Sequence, residues 1–216
     1  MKFNLKKELP VLLFAIFPVS FLLYIWKELP VQVPLHWNIN GEINRYGNKM
    51  ELFIISLIPL ILYALFLFIP MIDPKKRIEA MGNKFYTIRL ITALFVAVLF
   101  SFIIYSVKEH SLVNPNYLFI IIGAFFVLLG NYFKTIRPNY FVGIRTPWTL
   151  ENDTIWKNTH LFAGKLWVAG GLIIIISSFI FEEKIALTIF FIITAIITLI
   201  PIVHSYIQFK NNPMKI

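Results

Sequence analysis

Two arginines, Arg137 and Arg145, with His160 further along, are the residues best equipped for specific chemistry in this chain. A guanidinium is a planar fork that can clamp a carboxylate, a phosphate or backbone carbonyls with paired hydrogen bonds, which an ammonium cannot reproduce. Two kinds of partner are open to it. Glu151 and Asp153 are close in sequence and would give a structural ion pair that folds the segment. An external anion, either a lipid headgroup or the acidic surface of a cytosolic partner, would give a binding role. The four histidines do not suggest a metal centre. His36 and His110 fall on one side of the expected membrane and His160 and His204 on the other, without thiolate partners. There is no cysteine, which excludes disulfides and thiolate chemistry. No hydrolase elbow, phosphate-binding loop or zinc-protease motif is present. The expectation is a protein with no catalytic residues, no metal and no cofactor, in which His160 makes a hydrogen bond at a membrane rim.

The arginines lie in a polar stretch, residues 130–164, that contains an unusual density of conformationally restricted positions. Pro138 and Pro147 bias Arg137 and Thr146 towards extended backbone, and Gly143 permits conformations that other residues resist. The stretch reads as a folded loop of fixed shape. Thr146 followed by Pro147 and Trp148 is a helix start, with the threonine as N-cap and the proline at the first helical position. Beyond it, Trp156, His160, Gly164, Trp167 and Gly171 recur at helical spacing and define one face of a continuing helix.

The elements that must position this loop are membrane helices. Of 216 residues, 58% are hydrophobic and 14% charged, too apolar for one soluble core. Uncharged apolar blocks cover 9–26, 52–72, 90–107, 117–133, 166–181 and 185–207. A bilayer crossing takes about 17–25 helical residues, so six transmembrane helices are expected, the fifth extended back to about Leu161. No small-residue cleavage site follows the first block, which is expected to be retained. Fifteen of twenty Lys and Arg residues fall on the side that includes both termini and the 130–164 stretch, a net +10 there against −1 opposite. That asymmetry predicts cytoplasmic termini. Every Asp and Glu reads as a loop residue, and the absence of membrane-buried carboxylates argues against an ion-coupled carrier. Asp73 and Pro74 read as the start of a short amphipathic helix after the second span. The segment 27–51 is the main external loop, with turn signals at Asn40-Gly41 and Gly47-Asn48. The fold class is all-α: a six-helix membrane bundle with a structured cytoplasmic loop at 134–160. It divides into a two-helix module, 1–90, and a four-helix module, 91–216.

The ordered run Gly130-Asn131, Arg137-Pro138-Asn139, Gly143-Ile144-Arg145-Thr146-Pro147-Trp148-Thr149, Trp156, Thr159-His160 and Ala163-Gly164 resembles the signature of the SdpI family of bacterial membrane proteins. The pattern Pro30, Pro34-x-His36-Trp37-Asn38, Gly41 and Tyr46-Gly47 resembles the small amino-terminal module often found ahead of it. The resemblance implies immunity to a secreted, membrane-active peptide toxin at the bacterial cytoplasmic membrane. In some members it also implies signalling, in which the protein holds a small winged-helix autorepressor at the membrane. The implied partners are the lipid bilayer, a hydrophobic peptide toxin and that repressor, with no direct contact to nucleic acid. Asn131, Arg137, Asn139, Gly143, Arg145, Thr146, Trp148, Trp156, His160 and Gly164 are then the candidate response residues. Pro34, His36, Trp37, Asn38 and Tyr46 are candidates for external docking. A small membrane transporter or a lipid-handling protein is the alternative from a different class.

Overall fold

The computed structural model describes residues 5–38, 41–111 and 114–211. The turn residue Asn40 and the terminal charges Lys2 and Lys215 lie outside the described residues. The elements run α1 (Leu5–Ile25), β1 (Gln32–Trp37), β2 (Ile43–Asn48), α2 (Glu51–Ile72), α3 (Asn83–Lys108), α4 (Asn116–Phe133), α5 (Pro147–Glu151), α6 (Asp153–Ile180) and α7 (Glu183–Asn211). Among the described residues six helices, α1, α2, α3, α4, α6 and α7, are long and apolar enough to cross a membrane. Each covers one of the apolar blocks read from the sequence to within one residue. Their many exposed Leu, Ile and Phe side chains fit a lipid-facing surface, where a water-soluble bundle would turn polar residues outward.

The bundle has a buried core at each end. At one end Ile78, Met81, Phe85 and Ile88 meet Phe133, Ile136, Trp156 and Ala163. At the other, Leu22, Ile25, Leu29, Val33 and Leu52 meet Ile104 and Val107. Helix α3 contributes buried residues to both cores, and it runs unbroken across residue 90. Helices α4 and α6 pack most intimately, for a reason readable in four glycines. A Cβ on Gly164 would lie 2.7 Å from the Gly130 carbonyl oxygen, and one on Gly123 would lie 2.9 Å from that of Gly171. Two facing glycine pairs, two helical turns apart, let the backbones touch.

The external loop is more ordered than expected. Instead of irregular chain between helices, β1 and β2 form an antiparallel hairpin, with register shifts at His36. Val33 is buried, Leu35 and Trp37 pack half-buried on the same core, and of the residues between them Gln32 and His36 are exposed while Pro34 is buried. Lys49 fastens the hairpin's end, its Nζ donating to the carbonyls of Trp26 (3.2 Å) and Leu29 (3.0 Å) while sitting 4.5 Å above the Trp26 ring. The link after α2 also departs from expectation. Asp73 caps the end of α2 instead of starting a helix, its carboxylate accepting from the backbone N–H of Ile78 (2.8 Å) and Lys75 (3.3 Å). Only one 3₁₀ turn, Glu79–Met81, follows before α3.

Candidate functional site

The 134–152 loop is held by a buried polar frame. Asn139 is 3% exposed and makes four hydrogen bonds. Its Oδ1 accepts from the N–H groups of Phe141 (2.8 Å) and Val142 (2.7 Å), and its Nδ2 donates to the carbonyls of Arg137 (2.7 Å) and Val142 (3.0 Å). Such a residue shapes the turn and cannot itself touch a partner. Trp156 is buried, its indole N–H donating to the Ile136 carbonyl at 2.8 Å. His160 stacks on Trp156 with ring centroids 4.1 Å apart. Its Nε2 accepts from the Ile144 N–H at 3.0 Å, so Nδ1 carries the proton and donates to the Trp156 carbonyl at 2.8 Å. Both ring nitrogens are committed, leaving no lone pair for a metal. The expected hydrogen-bonding histidine is therefore the post against which the loop rests.

Gly143 sits where the loop crosses that post, with φ +113°, a region that disfavours side chains. A Cβ there would also run into His160 Nε2 and lie 3.1 Å from Trp156 Cζ2. Thr146 is the N-cap expected of it. Its backbone N–H donates to Thr149 Oγ1 (2.8 Å), and its own hydroxyl accepts from the Thr149 N–H (3.3 Å), a reciprocal capping box. The helix it starts does not continue. α5 ends at Glu151, and Asn152 caps a second start, accepting from the N–H groups of Thr154 and Ile155. Trp156, His160, Gly164 and Gly171 share the buried face of α6, with Trp167 half-buried beside them. Trp148 docks on α7, donating to Ser205 Oγ at 2.7 Å and packing on Tyr206 and Phe209.

Of the two kinds of partner open to the arginines, the local ion pair with Glu151 or Asp153 does not form. Arg145 is exposed and donates to the Tyr140 carbonyl, and Asp153 pairs with Arg77 at 3.1 Å. Arg77 also donates to the Pro138 carbonyl, which makes it the cation that ties the loop to the α2–α3 link. In the sequence it is one of three consecutive basic residues and carries no local signal of this role. Among the described residues, the guanidinium of the exposed Arg137 has neither a carboxylate nor a hydrogen-bond partner. It lines a cleft of about 280 Å³ with Lys84, Lys134 and Lys157, against the single carboxylate of Asp153. A larger groove of about 460 Å³ opens between α4 and α6, lined by Asn131, Lys134 and Lys165 at its polar end. Arg145 and Thr146 border a third hollow, against Trp167 and Ile197.

The expectation that no carboxylate is buried among the membrane helices is corrected by Glu8. It lies in the first turns of α1, 2% exposed, and pairs with Arg89 of α3, which is fully buried. Tyr63 of α2 donates to the same carboxylate at 3.4 Å, and Phe85 and Tyr86 flank the guanidinium. The cluster joins three helices at the end where the chain begins. It lines none of the three hollows above.

Of the candidate docking residues in the hairpin, Pro34 is buried and Trp37 half-buried, facing the protein. Asn38 closes the turn, donating to Glu42 Oε2 at 2.8 Å. His36, hydrogen-bonded to Asn44 at 2.6 Å, and Tyr46 remain exposed. The set thus divides into a frame and a two-residue outer face.

Residues 135–205 match the model of the SdpI/YfhL protein family, and residues 13–62 match that of a domain of unknown function, DUF1648. The chain is 28% identical over 200 residues to a protein named Immunity protein SdpI from Bacillus subtilis (strain 168), covering 89% of this chain and 92% of the relative. No solved structure matches. The first match takes in the loop from Thr135 onward, α5, α6 and most of α7; the second takes in most of α1, the hairpin and the first half of α2. The chain is thus a multi-pass cell-membrane protein in which an SdpI/YfhL-family segment, residues 135–205, follows a DUF1648 segment, residues 13–62.

Proposed function

We propose that this protein gives its host immunity to a secreted, membrane-active peptide toxin, acting without catalysis at the cytoplasmic membrane with both termini inside. The observation that carries the reading is the similarity to an immunity protein along nearly the whole chain. The orientation rests on the fifteen-to-five division of Lys and Arg between the two ends. In this reading the hairpin, with His36 and Tyr46 outermost, meets the hydrophobic peptide from outside. Helix α3, buried in both end cores, links the hairpin to the loop framed by Asn139, Gly143 and His160. Arg137 and Arg145 offer guanidinium groups at the cytoplasmic face for the acidic surface of a partner, which we take to be a small winged-helix repressor.

Expression of the protein in a toxin-sensitive relative should raise survival when the cognate peptide is added. A repressor fused to a fluorescent protein should move to the membrane only when both peptide and immunity protein are present. Unchanged survival would overturn immunity. Survival without recruitment would remove the signalling role and leave immunity standing.

A further inference from the structure

The groove between α4 and α6 combines features that no intramolecular contact uses. Its polar end is formed by Asn131, Lys134 and Lys165, all exposed. Among the described residues none of the three side chains has a hydrogen-bond or ion-pair partner. From that end the groove descends along α6 past Gly164, Val168 and Ala169 to Leu172. From Lys165 to Leu172 this is about 10 Å at a helical rise of about 1.5 Å per residue, within the roughly 15 Å depth of one leaflet's hydrocarbon. The facing Gly130 and Gly164 set its floor, because side chains at either would fill the crossing. No residue of α3 or α7 lines it, so its outer side opens to the lipid.

We propose that this groove is a binding site for an anionic phospholipid. Lys134 and Lys165 hold the headgroup phosphate, and one acyl chain lies along Val168, Ala169 and Leu172. Charge complementarity selects the occupant. Two unpaired ammonium groups at a membrane rim, above an apolar channel that runs about 10 Å into one leaflet, match a phosphate joined to a hydrocarbon tail. A zwitterionic lipid would bring its own cation to the same two lysines and bind less well. The site would hold a structural lipid against the α4–α6 crossing that supports His160, and it does not depend on the protein being an immunity factor.

The test is native mass spectrometry of the full-length protein, purified in detergent and titrated with phosphatidylglycerol against phosphatidylcholine. The wild type should retain phosphatidylglycerol preferentially. Lys134→Gln/Lys165→Gln should weaken retention by about 5-fold per lysine, close to 25-fold together. Ala169→Phe should also lose the lipid, because it fills the groove from an exposed position without altering charge. Lys76→Gln/Lys210→Gln, which removes the same charge from exposed sites at the same end of the bundle, should retain it. Equal losses in both double variants would overturn the site in favour of diffuse surface charge. Wild-type retention by the groove variants, or equal retention of phosphatidylcholine, would also overturn it. Displacement by millimolar inorganic phosphate would show an anion site without the lipid.

Discussion

Replacing Glu8 by Gln removes the one anion that, among the described residues, pairs with a fully buried guanidinium. Arg89 Nε and Nη1 have no partner among the described residues, so Glu8 and the flanking rings are all that compensate its charge. At 0% and 2% exposure the pair escapes the solvent screening that reduces surface ion pairs to about 0–1 kcal/mol. Breaking a buried pair from one side typically costs about 3–5 kcal/mol, because the other charge is stranded. A chain of this size loses about 2–4 °C of melting temperature per kcal/mol, so Glu8→Gln should melt roughly 6–20 °C lower in detergent. Arg89→Met alone should be similarly harmful, leaving a carboxylate that, among the described residues, only Tyr63 hydrogen-bonds. Glu8→Leu combined with Arg89→Met should recover most of the loss, since an apolar replacement of a buried pair is often close to neutral. Tryptophan fluorescence melts of the purified variants would give the coupling, expected on the order of 3 kcal/mol. Additive single effects, or single variants within about 1 kcal/mol of wild type, would refute the description of a sealed latch between α1 and α3.

Gly143→Ala should destabilise the loop by about 2–5 kcal/mol, combining a side chain at positive φ with loss of the Ile144–His160 hydrogen bond. Limited proteolysis of the 134–152 segment would report it, and wild-type resistance would count against the framed loop. Arg145→Lys should leave protein level and melting temperature unchanged within about 1 kcal/mol, because an exposed ammonium can still reach the Tyr140 carbonyl. In our reading it should nevertheless impair partner recruitment, which needs the planar fork; normal recruitment would remove the clamp. Because the chain has no cysteine, single cysteines at Asn114 or Glu183 should react with an impermeant reagent on intact cells, and those at Lys76 or Asn152 should not. Outside labelling at Asn152 would reverse the orientation.

Features encoded within a few neighbouring residues were legible in the sequence. The Thr146–Pro147 helix start needs only a hydroxyl and a fixed φ, and the inward face through Trp156, His160 and Gly164 needs only helical spacing. The break at Asn152 was masked by the continuing periodicity, although Asn152 before Asp153 and Thr154 is itself an N-cap signal. The hairpin was obscured by Pro30 and Pro34, which discourage a strand assignment. The alternation Val33, Leu35, Trp37 and the Asn40-Gly41 turn signal pointed the other way. The Glu8–Arg89 latch was beyond reach for a different reason. Its partners lie 81 residues apart, each beside other rim charges, so only the packing of α1 on α3 distinguishes them from topology signals.

Immunity is tested most directly by membrane potential, read with a voltage-sensitive dye in sensitive cells exposed to the cognate peptide. Three strains are compared, expressing the wild type, Gly143→Ala at matched protein level, or nothing. Potential should hold with the wild type and collapse in the empty strain, with Gly143→Ala close to the collapse. Equal collapse in all three strains would contradict the account.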